Sequence, residues 1–270
     1  MTMEQLYVFG TGNAQATRCY NTCFAIRDPG GEFFMVDAGG GNGILRILDE
    51  MGVGFGHIHH MFVTHEHTDH VLGVVWIVRM IATAMRQGKY DGDMYIYCHE
   101  GLVSTIDTLC KLTLQDKFYI LLGERIHLTP VQDGETRRIL GYDVTFFDIL
   151  STKAKQYGFT TTLESGRTLT CAGDEPYNPA CEKYVRGRDW LLHEAFCLYG
   201  QRDRWKPYEK NHSTVKDASV LAQDLDVKRL VLWHTEDSDL EHRKETYCEE
   251  GRPHFSGILM VPDDREVIEL

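Results

Sequence analysis

Short apolar runs recur along the chain, and most of them are followed by glycine or by polar residues. Runs of this length that are rich in β-branched and aromatic residues are typical of strands. They predict strands at 6–9, 23–26, 33–36, 60–63, 94–98 and 145–150, with further strand-like runs at 190–196, 229–235, 258–261 and 267–268. Apolar residues at helical spacing predict helices over 44–51, 69–87, 102–112 and 215–225. This alternation indicates an α/β fold.

The length of the chain favours a single domain. An α/β sandwich of 270 residues can bury a large core, and no repeat or low-complexity run divides residues 1–270. The first residues lack the basic and apolar regions of a signal peptide. The longest apolar stretch, about 71–81, contains Arg79 and is too short to span a bilayer. We therefore expect a cytoplasmic protein with no membrane partner.

Charge and cysteine content narrow the functional classes. The chain has 28 Lys and Arg against 40 Asp and Glu, a net charge of −12. This balance argues against a broad surface for binding a large RNA, although it leaves room for a local basic patch. The eight cysteines form no C-x-x-C pair and most lie in apolar runs. They predict reduced thiols in the core of a cytoplasmic protein.

The strongest chemical signal is the pattern H-x-H-x-D-H between the apolar runs 60–63 and 71–78. His65, His67, Asp69 and His70 form this pattern, at the point where a strand runs through a loop into a buried helix. Imidazole nitrogen and carboxylate oxygen are ligands that suit zinc, manganese and iron. A polar loop that contains three histidines by chance is the alternative, and its position between two apolar segments disfavours it.

The pattern resembles that of the metallo-β-lactamase superfamily, in which it follows a strand and opens a helix. The resemblance implies a four-layer αββα sandwich with two divalent metal ions. It assigns His65 and His67 to one metal, and Asp69 and His70 to the second. It also implies that Asp37 and Gly39, after the strand at 33–36, support the site.

The same resemblance implies further ligands at downstream strand ends. Asp174 follows glycine in a further strand predicted at 167–176, and it takes the place of the aspartate that bridges both metals. An ordinary Gly-Asp-Glu-Pro turn is the alternative there. His234 ends the run 229–235 and takes the place of the last ligand.

One expected ligand is missing from the sequence. Leu150 stands where the superfamily has a third histidine, after the strand predicted at 145–150. Alternation along that strand would put Asp148 on the same face as Leu150, so Asp148 is a tentative substitute ligand or a supporting residue. The departure raises the question of how strongly the first metal is bound.

Two further segments resemble the ribonuclease Z-like and phosphodiesterase branch. These are His193-Glu194-Ala195, which matches H-E-A, and His212-Ser213-Thr214, which matches H-S-T. In that branch the H-S-T histidine acts beside the scissile phosphate and the H-E-A glutamate supports it. The match assigns these roles to His212 and Glu194. Alternatively, Ser213 or Thr214 simply caps the helix at 215–225.

Together these matches predict a metal-dependent hydrolase, first of all a phosphodiesterase that uses a metal-activated hydroxide, with Asp69, His212 and Glu194 as catalytic residues. Zinc is the first choice of metal, with manganese or iron as alternatives. The expected substrate is a small phosphodiester, a nucleotide or a short nucleic acid, and a homodimer is possible. An acyl or lactone hydrolase on the same fold, and a metal-depleted non-catalytic protein that follows from Leu150, are the rival interpretations.

Overall fold

The strands pair into two mixed sheets in a computed structural model that describes residues 3–270. The first sheet has, in spatial order, β14 (Val267–Glu269), β1 (Gln5–Gly10), β2 (Cys23–Arg27), β3 (Phe33–Val36), β4 (Ile58–Phe62), β5 (Met94–His99) and β6 (Ile126–Val131). The second has β13 (Ile258–Met260), β12 (Arg229–Trp233), β11 (Trp190–Glu194), β10 (Thr168–Cys171), β9 (Tyr157–Thr162), β8 (Tyr142–Asp148) and β7 (Thr136–Ile139).

Each sheet is half parallel and half antiparallel. Strands β3 to β6 pair in parallel, as do β10 to β13, while the remaining pairs are antiparallel. The carboxyl ends of neighbouring parallel strands lie at one edge of a sheet, and loops at that edge commonly carry function in α/β proteins. The loops after β3 and β4 therefore lie at one edge of the first sheet, and those after β10 and β12 lie at one edge of the second.

Helices cover the outer face of each sheet. Their bounds are α1 (Gly43–Glu50), α2 (Thr68–Arg86), α3 (Glu100–Thr113), α4 (Asp116–Tyr119), α5 (Glu182–Val185), α6 (Arg202–Trp205), α7 (Val215–Asp224) and α8 (Arg243–Gly251). The core under α1 to α3 is mainly aliphatic, and a third core lies under α5, α7 and α8. Between the sheets, Phe24 stacks on Trp233 with ring centroids 4.7 Å apart. The predicted four-layer αββα sandwich is confirmed.

The loop after β3 passes close to the first turns of α2. A Cβ on Gly73 would lie 1.9 Å from the carbonyl oxygen of Ala38, so no side chain fits at this position. Gly73 N–H donates to the Gly39 carbonyl at 2.8 Å, and Ala38 N–H donates to the His70 carbonyl at 3.2 Å. Gly39 has φ +69°, which favours glycine. Glycines in the loop and in α2 thus let two backbones meet beneath the H-x-H-x-D-H loop.

Helix α2 closely matches the helix predicted at 69–87 and extends beyond the apolar stretch 71–81 at both ends. Its 19 residues are long and apolar enough to cross a membrane by length and composition alone. One face packs in the core, where Val74, Ile77 and Ile81 are fully buried. A core helix passes the same test, and the packing identifies α2 as one. All eight cysteines are free thiols and six of them are buried, in agreement with the sequence.

Several elements escaped the sequence patterns, and two of them, β7 and α8, have no apolar face of their own. β7 (Thr136–Ile139) is an edge strand whose first three residues are exposed. α8 (Arg243–Gly251) is strongly polar, and its buried side chains are Arg243 and Tyr247. The Arg243 guanidinium donates to Thr11 Oγ1, Thr235 Oγ1 and the Pro262 carbonyl, so hydrogen bonds fix this helix where apolar contacts would usually do so.

Candidate metal centre

The first ligand group lies in the loop that joins β4 to α2. This loop runs from Phe62 to Thr68, so His65 and His67 are held between a buried strand and a buried helix. His65 Nε2 lies 2.8 Å from His67 Nδ1 and 3.6 Å from Asp174 Oδ2. The three side chains offer ligand atoms within 4.8 Å of one another, close enough to hold one metal ion.

The second ligand group joins the first turn of α2 to the end of β12. Asp69 and His70 belong to α2, and His234 follows the last residue of the strand. His70 Nε2 and His234 Nε2 each lie 3.4 Å from Asp69 Oδ2. His234 has φ +57°, a conformation that residues with a side chain rarely adopt and that recurs at functional sites. These three residues are buried and could hold a second ion.

Asp174 connects the two groups. It follows Gly173, whose φ of +84° turns the chain just after β10. Asp174 Oδ2 lies 3.6 Å from His65 Nε2, and 3.4 Å from both His70 Nε2 and His234 Nε2. A carboxylate has enough lone pairs to serve two cations at once. The position of Asp174 is therefore the one that a bridging ligand requires.

Asp37, directly after β3, orients His70 directly and His65 through Thr64, on the side of each ring away from the ligand groups. Its Oδ2 lies 2.7 Å from His70 Nδ1, and because a carboxylate only accepts, Nδ1 carries the proton and Nε2 faces Asp174. Asp37 also accepts from Thr64 N–H and from Thr64 Oγ1, both at 2.8 Å. Since that hydroxyl donates to Asp37, its oxygen is free to accept from His65 Nδ1 at 2.9 Å. One carboxylate thus turns the Nε2 atoms of two histidines toward the site.

The electrostatics of the site are those of a cation-binding pocket. Burial would raise the pKa of Asp174, but His65, His70 and His234 hold it well below its usual range. Burial would lower the pKa of His70, yet the Asp69 and Asp37 carboxylates raise it well above its ordinary value. A proton on His70 supplies the positive charge that a metal ion would otherwise supply in this pocket, and metal binding would release that proton.

The donor set fits divalent metals. His70 Nε2 is buried and has no hydrogen-bond partner, so it is a polar atom that a bound metal would satisfy. Imidazole nitrogens and carboxylate oxygens in two adjacent groups suit zinc, manganese and iron.

The structure corrects the prediction for the missing histidine. β8 ends at Asp148, and Leu150 is half exposed with φ +60°, so the two residues do not share a strand face. Asp148 Oδ1 accepts from Leu150 N–H at 2.8 Å, and its Oδ2 lies 3.7 Å from Lys155 Nζ. These contacts cap the end of the strand. Asp148 belongs to neither ligand group, so its tentative role as a substitute ligand is not supported.

Gln156 lies against the first group in a way that the sequence did not indicate. Its side chain is buried, with Nε2 2.9 Å from His65 Nδ1 and in hydrogen-bond contact with Asp174 Oδ1. The amide thus contacts one histidine and the connecting carboxylate of the first group. Gln156 directly precedes β9, which pairs with β8 and β10, and this position brings its side chain to the first ligand group.

His212 and Glu194 lie together beside the second group. Glu194 ends β11, is fully buried, and has Oε2 3.5 Å from His212 Nδ1. Its Oε1 accepts from Ser213 N–H at 2.6 Å and from the Ser213 hydroxyl. The His212 ring stacks on Phe196 at 5.1 Å and lies 5.2 Å from the His234 ring. The capping alternative also holds for Thr214, which forms a capping box with Asp217 at the start of α7.

An open cavity of about 800 Å³ lies over both groups. His67, Asp69, Asp174, His212 and His234 all line it. It is also lined by Asn13, Gln15, Lys153, Lys210 and Asn211. Lys153 and Lys210 come from separate loops, and only the three-dimensional structure brings the two lysines to one cavity.

This fold and its paired histidine–carboxylate groups define a ribonuclease Z-like hydrolase of the metallo-β-lactamase superfamily. The chain matches the protein family described as "Anti-Pycsar protein Apyc1" over residues 4–250, and it belongs to that family.

Known relatives agree with this class. The chain is 27% identical over 276 residues to the ribonuclease Z of Bradyrhizobium sp. (strain ORS 278), covering 86% of this chain and 89% of that protein. Its fold is similar to the metallo-β-lactamase fold protein YhfI from Bacillus subtilis, with a TM-score of 0.80, 17% identity and full coverage of both chains. The short form of human tRNase Z gives a TM-score of 0.74 at 22% identity, with 98% of each chain covered. The relatives support the predicted metal-dependent, phosphodiesterase-like hydrolase.

Proposed function

We propose that the protein hydrolyses phosphodiester bonds in small substrates, such as a nucleotide or a short nucleic acid, with two divalent cations. The observation that carries this proposal is the position of Asp174 Oδ2, within 3.6 Å of histidines from both ligand groups. His212, which lines the same cavity and has the buried Glu194 carboxylate behind it, favours a phosphodiester over other esters.

In this proposal each ligand has an assigned cation. His65, His67 and Asp174 would hold the first, and Asp69, His70 and His234 would hold the second, with Asp174 close enough to contribute to both. Zinc is the first choice because neutral imidazole nitrogen and carboxylate oxygen are common zinc ligands, and manganese or iron would also fit. When bound, such cations supply a more acidic water and neutralise charge on the phosphate.

The residues around the cations would then orient the attacking water and donate a proton to the leaving group. One water is consumed: a bond forms from its oxygen to phosphorus, the bond from phosphorus to one ester oxygen breaks, and a proton ends on that oxygen. Asp69, whose carboxylate lies in the cavity wall, would accept a hydrogen bond from the attacking water and orient it. His212, backed by Glu194 at 3.5 Å, would donate to the leaving oxygen.

The size and charge of the site suit a small substrate. The cavity of about 800 Å³ lies within the range of small-molecule sites, which is on the order of 300–1,000 Å³. Lys153 and Lys210 supply local positive charge on a chain whose net charge is −12. A large RNA would need a broader basic surface.

A cytoplasmic location and a homodimer complete the proposal. The eight free cysteines favour a reducing compartment. The homodimer follows from the family resemblance alone, and sedimentation velocity at several protein concentrations would test it.

The direct test is hydrolysis of bis(p-nitrophenyl) phosphate by metal-loaded protein, compared with p-nitrophenyl acetate. His212→Ala should lower kcat/KM on the phosphodiester by about 100-fold or more, because a positioned acid contributes roughly 10²–10⁴. Metal content, measured by elemental analysis, should stay unchanged. His242→Ala is the matched control, because His242 is exposed and pairs with Asp239 outside the cavity.

Other outcomes point to the rival functions. Activity on p-nitrophenyl acetate or a lactone, without phosphodiester hydrolysis, would identify an acyl or lactone hydrolase. A single metal per chain with no hydrolysis of either substrate would identify a non-catalytic member.

A further inference from the structure

The loop that lacks the expected histidine carries a lysine into the cavity. After β8 ends at Asp148, the chain turns at Leu150, and Lys153 then lines the cavity over the ligand groups. Lys153 Nζ lies 3.5 Å from His212 Nε2. The ammonium group and the imidazole therefore face the same part of the cavity, where the leaving group of the substrate would be.

A network anchored on Glu175 holds this loop in place. Glu175 is buried, and its Oε1 accepts from Ser151 Oγ at 2.7 Å and lies 4.0 Å from Lys153 Nζ. Its Oε2 accepts from Asn211 Nδ2 at 2.7 Å, and Asn211 directly precedes His212 in the chain. The same carboxylate thus ties the lysine loop to the segment that presents His212, and the two groups are positioned together.

The surroundings of Lys153 leave its charge available. Its side chain is 30% exposed, and Glu175 is its ion-pair partner within the described residues, at the limit of 4.0 Å. Both oxygens of Glu175 already accept hydrogen bonds from Ser151 and Asn211. An ammonium group has three donors. The contact with His212 Nε2 at 3.5 Å and the long approach to Glu175 occupy at most two of them, so at least one can meet an anion that enters the cavity.

We propose that Lys153 is a further catalytic residue that binds a non-bridging oxygen of the phosphodiester on the His212 side of the site. The proposal rests on the proposed phosphodiesterase function. A phosphodiester carries one negative charge, and the charge on phosphorus oxygens rises as water oxygen adds to phosphorus and before the ester bond breaks. A fixed ammonium group stabilises this added charge more than it stabilises the bound substrate, so it raises the rate.

The test compares Lys153→Gln with Lys155→Gln in the metal-loaded protein. Lys155 is two residues away, half exposed, and pairs with Asp148 outside the cavity, so it is a matched control. For Lys153→Gln we expect kcat/KM on bis(p-nitrophenyl) phosphate to fall by about 10- to 100-fold, the size of one charged hydrogen bond. Lys155→Gln should stay within about twofold of the unmodified protein, a change typical of exposed sites.

Three further readouts separate a charge effect from a structural one. Lys153→Arg should recover part of the rate, because it restores a cation at nearly the same place. Any hydrolysis of the neutral p-nitrophenyl acetate should be the same in Lys153→Gln and the control. Inorganic phosphate, titrated calorimetrically into the metal-loaded protein, should bind about tenfold more weakly to Lys153→Gln.

The outcomes distinguish this inference from the proposed function. If the unmodified protein hydrolyses the phosphodiester and Lys153→Gln matches Lys155→Gln in rate and in phosphate affinity, the role of Lys153 is refuted. If the unmodified protein hydrolyses no phosphodiester, the proposed function fails, and the phosphate titration alone decides whether Lys153 binds the anion.

Discussion

The two ligand groups of the site differ in how they are supported. In the second group Asp69, His70 and His234 are buried, and the Asp37 carboxylate contacts His70 Nδ1 directly at 2.7 Å. In the first group His67 is partly exposed. His65 Nδ1 there meets only uncharged partners, the Thr64 hydroxyl and the Gln156 amide, at 2.9 Å each.

A departure from the superfamily pattern adds to this difference. The third histidine implied for the first group is absent, and Leu150, which stands in its place in the sequence, is half exposed. A carboxylate behind a ligating histidine raises its basicity more than a hydroxyl or an amide does, since the carboxylate is charged. We therefore expect the second group to hold its metal more tightly than the first.

The largest effect should come from Asp174→Asn, which removes the carboxylate that the groups share. An amide offers one oxygen and no charge, so it cannot serve both cations, and kcat/KM on bis(p-nitrophenyl) phosphate should fall by about 1,000-fold or more. Elemental analysis after dialysis should find less metal per chain. Asp226→Asn, at an exposed position, is the control. Retention of two metals and full activity would show that the groups are independent.

Asp37→Asn and Thr64→Val should sharpen the comparison. Asp37→Asn should weaken metal binding at the second group by about 10- to 100-fold, the usual cost of losing a partner behind a ligand. Thr64→Val should act mainly on the first group, because the Thr64 hydroxyl contacts His65 directly and reaches His70 only through Asp37. Competition with a chelator, followed by metal analysis, measures both. Equal losses at both groups in Thr64→Val would contradict the difference in support.

Sequence patterns were most informative where function depends on residues that are close in the chain. The four residues of H-x-H-x-D-H lie within one loop and one helical turn, so their mutual placement follows from local geometry. Asp174 and His234 were assigned through a family pattern at strand ends, and the sandwich brings them to the same site. The layers of the fold were equally accessible, because buried strands are apolar throughout.

The 149–156 loop shows what the sequence could not predict. Strand alternation was extended to Leu150, but a positive φ there ends it two residues early. The placement of Lys153 and Gln156 depends on Glu175 and Asp174, which are distant in the chain. Such contacts leave no periodic trace in the sequence.

The smallest effect, and the finest test of the comparison, is Gln156→Ala. The side-chain amide contacts His65 Nδ1 and Asp174 Oδ1, so its loss removes one supporting contact from each of these two side chains. We expect the first group to bind its metal about tenfold more weakly, at the low end for a partner behind a ligand, while the second group is unchanged. Stepwise chelation followed by metal analysis should show one metal leaving earlier than in the unmodified protein.

Gln87→Ala is the control for this substitution, because Gln87 is exposed after the end of α2. If Gln156→Ala weakened the second group as much as the first, the amide would act through Asp174 on both cations. If instead it strengthened the first group, the Gln156 amide would oppose metal binding, since its Nε2 occupies a lone pair of Asp174 that the cation could use. The 149–156 loop, which lacks the expected histidine, would then lower the affinity of the first group for its metal and would not partly replace the missing ligand.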